Sequence, residues 1–183
     1  MTMNDATMYM IKAVLVLDND GNRIIANYFD DELFPDVKSQ KSFEKKLFNK
    51  TSRDQDSEIA LLEEMTVIYK SNVDLYFYIV GDSSENELIL ANMLTTFYDS
   101  VSGVLNKNVE KRVLLANLHQ ILLLLDEMID SGIVMDSELD SVMAKIGMGG
   151  PSNMSSLVGL DAEQTVNNVL QQAKEFKWGS ILS

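Results

Sequence analysis

The chain has 183 residues and a mass of 20.5 kDa, with 46% apolar and 23% charged side chains, enough for one globular domain of usual size and an appendage. It has no cysteine and one histidine, His119, which excludes disulfides, thiol nucleophiles, Cys-ligated zinc or iron–sulfur sites and every two-histidine metal motif. Fifteen basic against twenty-eight acidic side chains give a net charge of −13, with twelve acidic and only four basic residues between 58 and 130, a balance that repels nucleic acid and anionic leaflets.

Residues 1–7 read as a flexible N-terminus without the basic stretch of a secretory signal. Strand formers fill 8–17, with Ile11, Ala13, Leu15 and Leu17 expected on one face and Met10, Val14 and Val16 on the other. Apart from Lys12 both faces are apolar, which predicts an inner strand. Asp20-Gly21 then marks a tight turn into a second strand ending near Phe29. After Pro35, residues 36–50 place Val37, Phe43, Leu47 and Phe48 among lysines and predict a short amphipathic helix. Residues 51–57 are polar and read as a loop. Strands are expected over 58–62, 66–71 and 73–80, the last with Leu75, Phe77 and Ile79 on one face and Tyr76, Tyr78 and Val80 on the other.

Gly81-Asp82-Ser83-Ser84 reads as a turn carrying a helix cap. Residues 86–105 and 109–130 show the apolar spacing of two long helices, the second stopping at Gly132. Leu115, Leu122 and Ile129 give that second helix another apolar face, so the run Leu122 to Leu125 is expected to be buried on several sides. A shorter helix is expected over 136–145. Residues 8–146 therefore form the expected domain, with 147–160, rich in Gly, Met and Ser, as a flexible linker. Residues 161–183 form an amphipathic helix and tail, whose stripe is Val166, Val169 or Leu170, Ala173 and Phe176, ending at Trp178. That stripe is the candidate partner interface. Strands joined by short turns imply an antiparallel sheet in an α+β fold. No apolar run approaches the roughly 20 residues that cross a bilayer.

The sequence offers little chemistry. Gly147 to Gly150 lacks the lysine of a phosphate-cradling loop. Placing Gly21 at the sixth position of a calcium loop leaves Val16 and Asn27 where ligands are required. Asp30-Asp31-Glu32 reads as a charged loop after a strand, and His119 as a structural or interface histidine with no partner spaced for general-base work. Lys38, Lys41, Lys45, Lys46 and Lys50 make the only basic island. It is either a solvated helix face or a patch for an acidic partner or lipid headgroups, with Lys38, Lys41, Lys45 and Lys46 as its candidate residues.

The order of elements, the Asp20-Gly21 hairpin, the string Ile68-Tyr69-Lys70 with Leu75-Tyr76-Phe77-Tyr78, and Asp126-Glu127 with Gly132 resemble the small chains of vesicle coats. Three further strings resemble the coatomer zeta family within that group. They are Gln40 to Lys45, Asn108 to Arg112, and the tail Glu163 to Trp178, which sigma chains of clathrin adaptors lack. The resemblance implies an α+β, longin-like fold, a five-stranded antiparallel sheet sandwiched by helices, plus the C-terminal helix. It implies a non-enzymatic structural subunit of the coatomer (COPI) coat, with no catalytic, metal or cofactor residues. The implied partner is the coatomer gamma subunit's trunk and through it the other coatomer subunits, with the Arf GTPase acting indirectly. Golgi-to-ER and intra-Golgi transport, in the cytoplasm and on the cytosolic face of Golgi membranes, is the implied setting. The alternatives are a cargo-signal-binding small chain of a clathrin-type adaptor and a longin regulatory domain of a membrane-fusion protein.

Overall fold

A computed structural model describes residues 11–52 and 58–147. The chain falls into two units, residues 1–148 and 149–183. The second, where most of the expected linker and the whole tail helix fall, lies outside the described residues, as do residues 8–10 and 53–57.

The first hairpin is built as the Asp-Gly signal predicts. Strands β1 (Ile11–Asp18) and β2 (Arg23–Tyr28) pair antiparallel. Their turn is organised by Asp18, whose Oδ1 accepts from the backbone N–H of Asp20 at 3.0 Å and of Asn22 at 2.7 Å. Gly21 sits at φ 77°, and a Cβ there would lie 2.7 Å from the Phe48 ring. Glycine is required both for the left-handed backbone and for that close approach.

Helix α1 (Val37–Thr51) follows. Asp36 caps it by accepting from Ser39 N at 2.6 Å, and Ser39 Oγ returns a bond from the Asp36 N–H, a reciprocal cap that satisfies two otherwise orphaned donors. Phe43, Leu47 and Thr51 face inward. Thr51, expected in a loop, is the buried last residue of the helix and shares a 2.8 Å hydrogen bond with the Tyr78 hydroxyl.

Strands β3 (Ile59–Leu62), β4 (Met65–Asn72) and β5 (Leu75–Asp82) complete a five-stranded antiparallel sheet in the order β2-β1-β5-β4-β3. The two strands with apolar residues on both faces, β1 and β5, lie side by side at its centre. One face packs against α1, through Ala13, Leu15, Leu17, Tyr78 and Val80. The other receives α2 (Glu87–Val104), α3 (Lys111–Ala116), α4 (Leu118–Met128) and α5 (Leu139–Lys145) against Val14, Val16, Phe77 and Ile79. The β5 alternation holds as read. In β1, Ile11 joins the multi-helix face with Val14 and Val16, because the register with β5 shifts between Ile11 and Ala13 and the extra residue turns Ile11 over.

Four expectations at the helix ends are corrected. Gly81 and Asp82 belong to β5, and the cap of α2 is Asn86, whose side chain accepts from Leu88 N at 2.9 Å. The helix expected over 109–130 is two helices, broken at Asn117, whose ψ of 20° leaves the helical range. The Asn117 amide instead donates to the Val113 carbonyl at 2.9 Å, the kind of local side-chain bond that competes with helix propagation. Leu118, which the apolar spacing of 109–130 puts on the inner stripe of one long helix and so in the core, is only half-buried just after that break. Finally, Gly132 is no helix cap. It forms, with Ser131, the turn of a small hairpin, β6 (Ile129–Asp130) and β7 (Ile133–Val134), both turn residues having positive φ.

That hairpin and one ion pair tie the helical layer to the sheet. The Ile11 N–H donates to the Gly132 carbonyl at 2.7 Å, and a Cβ on Gly132 would lie 2.7 Å from the Ile11 carbonyl oxygen. At the opposite end of β1, Lys111 Nζ meets Asp18 Oδ2 at 2.7 Å. The Lys111 backbone N–H, the first donor of α3, goes to Asp74 in the β4–β5 turn at 3.1 Å, and Asn72 donates to the Val109 carbonyl at 3.1 Å. Burial pushes the Asp18 carboxyl up, but the Lys111, Asn22 and Asp20 bonds outweigh it and hold the group at about 2.

Two outcomes follow from this packing. Leu15→Ala or Phe77→Ala removes a fully buried side chain and is expected to cost about 2–5 kcal/mol in chemical denaturation, with Leu94→Ala near the lower end and Leu118→Ala below it. Asp18 is ionised in the native state further into acid than in the unfolded chain. Its contribution is therefore complete above about pH 4 and is lost as pH falls towards about 2. Asp18→Asn is expected to flatten the fall in urea midpoint over that interval while lowering stability at neutral pH.

Candidate functional site

The basic island lies on the solvent side of α1, opposite Phe43 and Leu47. Its lysines do different things. Lys46 pairs with Glu63 and Lys50 Nζ donates to the Leu61 carbonyl, so both bind the helix to the β3–β4 hairpin. Lys38 is exposed in the first turn. Lys41 and Lys45, one turn apart, are exposed and have no ion pair among the described residues. They line a groove of about 670 Å³ between α1 and the β1–β2 turn.

The opposite wall is the turn from Asp20 to Arg23, and Phe48 and Asn49 extend the helix side. Arg23 Nε donates to Glu44 Oε1 at 2.7 Å, and the Tyr28 hydroxyl donates to the same oxygen at 2.9 Å. Arg23 Nη2 lies 2.6 Å from that oxygen as an ion-pair contact and is buried. Burial first, and then the Glu44 charge, push the Tyr28 phenol far above its ordinary range, so it remains a donor at any physiological pH. Glu44, itself buried, is thus spent on Arg23 and Tyr28. The groove is left with two unpaired ammonium groups and one exposed carboxylate, Asp20.

The sequence singled out the lysines but not Asn22 or Arg23, which the hairpin brings to α1 across about twenty positions. Spacing along α1 gives no sign of them. Asp30, in the suspected acidic cluster, is an ordinary structural group: it pairs with Lys12 at 2.7 Å and accepts from the N–H groups of Glu32 and Leu33. No cluster of metal-ligating side chains occurs among the described residues.

A second surface lies on α4. Leu124 and Leu125 are buried, but Leu122 and Leu123 are 45% and 49% exposed, which corrects the expectation that the whole run is enclosed. His119 is exposed on the same side, one turn earlier, and Leu115 of α3 is 48% exposed. The candidate stripe from Val166 to Trp178 lies outside the described residues.

Comparison with known proteins decides the family. Residues 10–152 match the family model described as clathrin adaptor complex small chain. Coatomer subunit zeta-1 of Bos taurus is 50% identical over 178 residues, 97% of this chain and 96% of its own. The chain belongs to the coatomer zeta family of adaptor small chains. Human coatomer subunit zeta-2 is 46% identical over 98% of this chain and 82% of its own, and the zeta-2 subunit of Arabidopsis thaliana is 38% identical over 95% and 96%. A chain in a homology model of the full-length AP-3 complex in a stretched open conformation superposes with a TM-score of 0.59 at 20% identity, over 80% of this chain and 97% of that one. That match establishes the longin-like small-chain fold. Among the described residues no helix is long and apolar enough to cross a membrane.

The outward leucines of this small chain contribute little to its own core. Leu122→Ser with Leu123→Ser is expected to change unfolding free energy by less than about 1 kcal/mol, whereas Leu124→Ser costs several. Parallel urea titrations of the two variants measure the difference.

Proposed function

We propose that this chain is a non-enzymatic structural subunit of the coatomer coat that pairs with the trunk of the gamma subunit. Through that pairing it serves Golgi-to-ER and intra-Golgi vesicle transport from the cytosolic face of the membrane. The observation that carries the reading is the 50% identity to coatomer subunit zeta-1 across nearly the whole chain. Exposed leucines on α4 support a role in assembly, because apolar side chains on an otherwise acidic surface gain most by being covered. The net charge of −13 supports recruitment through partners rather than direct adsorption to anionic lipid. Cargo-signal binding is the weaker reading, since sorting signals that carry acidic residues meet a surface of the same sign.

Two contact regions are proposed for the partner: the α4 face around Leu122 and Leu123, and the tail stripe of Val166, Val169, Leu170, Ala173, Phe176 and Trp178. Affinity purification of the tagged chain followed by mass spectrometry is expected to recover the gamma subunit in stoichiometric amount. Its absence from the bound set overturns the reading. Leu122→Ser with Leu123→Ser, and separately a chain ending at Pro151, are each expected to lower gamma recovery. Undiminished recovery by either variant removes that region from the interface.

A further inference from the structure

The groove between α1 and the first hairpin has a chemistry that scaffolding does not use. Among the described residues two of the five α1 lysines are committed to the sheet, Lys46 to Glu63 and Lys50 to a carbonyl. Lys41 and Lys45 are not, and with Asn49 they recur at every fourth position, so three side chains with N–H donors line one edge of the helix. Facing them, Asn22 and Arg23 are held by the Asp18-organised turn and by Glu44. Arg23 Nη2, 2.6 Å from Glu44 Oε1, is buried and is spent on the ion pair. Phe48 supplies an apolar wall, fixed by its contact with Gly21 and by edge packing on Tyr76 at 5.4 Å.

Size, charge and donors together select the ligand. A groove of about 670 Å³ is within the range of about 300–1,000 Å³ that holds a drug-sized molecule and exceeds what a single carboxylate fills. Two ammonium groups with amide donors around them outnumber the one exposed carboxylate, Asp20, and match a compact anionic group with three acceptor oxygens. An extended anionic surface fits less well. A bilayer laid on α1 also confronts the exposed Asp31, Glu32 and Asp36 beside the helix start, within a chain of charge −13. A single phosphorylated side chain presents its charge only to the groove, and its neighbouring residues have Phe48 to rest on.

We propose that this groove is a binding site for a phosphorylated serine or threonine in an extended segment of a partner protein, held by Lys41 and Lys45 with Asn22 and Asn49. The assignment stands on the groove's own residues and is independent of the pairing proposed above.

The test is a titration of the full isotope-labelled chain with a capped phosphoserine tetrapeptide, its unphosphorylated counterpart and inorganic phosphate, followed by backbone amide shifts. With the phosphopeptide, the amides of Gly21, Asn22, Lys45 and Asn49 are expected to move together and saturate, and the unphosphorylated peptide is expected to leave them in place. Lys41→Ala with Lys45→Ala, both on the solvent face, is expected to weaken binding at least about tenfold. Lys46→Ala, whose lysine serves Glu63, is expected to weaken it less than about twofold. Failure to saturate, or equal binding by the Lys41→Ala/Lys45→Ala chain, overturns the site. Binding of inorganic phosphate as tight as the peptide reduces it to a simple anion site and overturns the peptide assignment. Flotation with vesicles containing about 5 mol% phosphatidylinositol phosphate, abolished in the double variant, assigns the groove to a lipid headgroup and likewise overturns it.

Discussion

The fold depends on the pairing of β1 with β5. Each strand carries large apolar side chains on both faces, and each buries them only when the other lies beside it and helices cover both sides of the sheet. Leu15, Leu17, Phe77, Tyr78 and Ile79 are essentially inaccessible. At roughly 1.5–3 kcal/mol for each large apolar side chain removed from water, this pair outweighs any single polar contact in the molecule. The polar contacts decide placement instead. Asp18 with Lys111, Asp74 with the start of α3, and Ile11 with Gly132 set where the helical layer sits on the sheet.

These contacts also explain two of the strings by which the sequence resembles its family. Asn108 to Arg112 contains the residues that Asn72, Asp74 and Asp18 hold. Asp126 to Gly132 runs from the end of α4 into the β6–β7 turn, where only glycine fits against Ile11. In both places the string is tied to a specific contact with a distant strand. Helix-forming tendency alone does not account for either.

Much of the architecture was legible in the residues because local signals agreed with the final packing. The Asp20-Gly21 turn, the two-faced apolar pattern of β1 and β5, and the helical spacing of 86–105 each read the same in the sequence and in the fold. What escaped had no local signature. The apolar spacing runs unbroken from Leu114 through Ile121, so nothing in it marks the break at Asn117. The inversion of Ile11 comes from a register shift against β5, a strand more than sixty positions away. Leu122 and Leu123 are indistinguishable by type from Leu124 and Leu125, and only the helix's orientation on the sheet separates them. The groove was half legible: a helix can announce its lysines, but not which hairpin faces them.

The adjacency of β1 and β5 has a consequence for synthesis. The inner strand β1 leaves the ribosome well before its partner Leu75–Asp82, which is made some sixty residues later. At about 5–20 residues per second, β1 has only β2 beside it for an interval on the order of 3–13 s. Through that interval a two-faced apolar ribbon is in water with half its backbone donors and acceptors unpaired. A pause in synthesis between Tyr28 and Leu75 lengthens that exposure, and one after Asp82 does not.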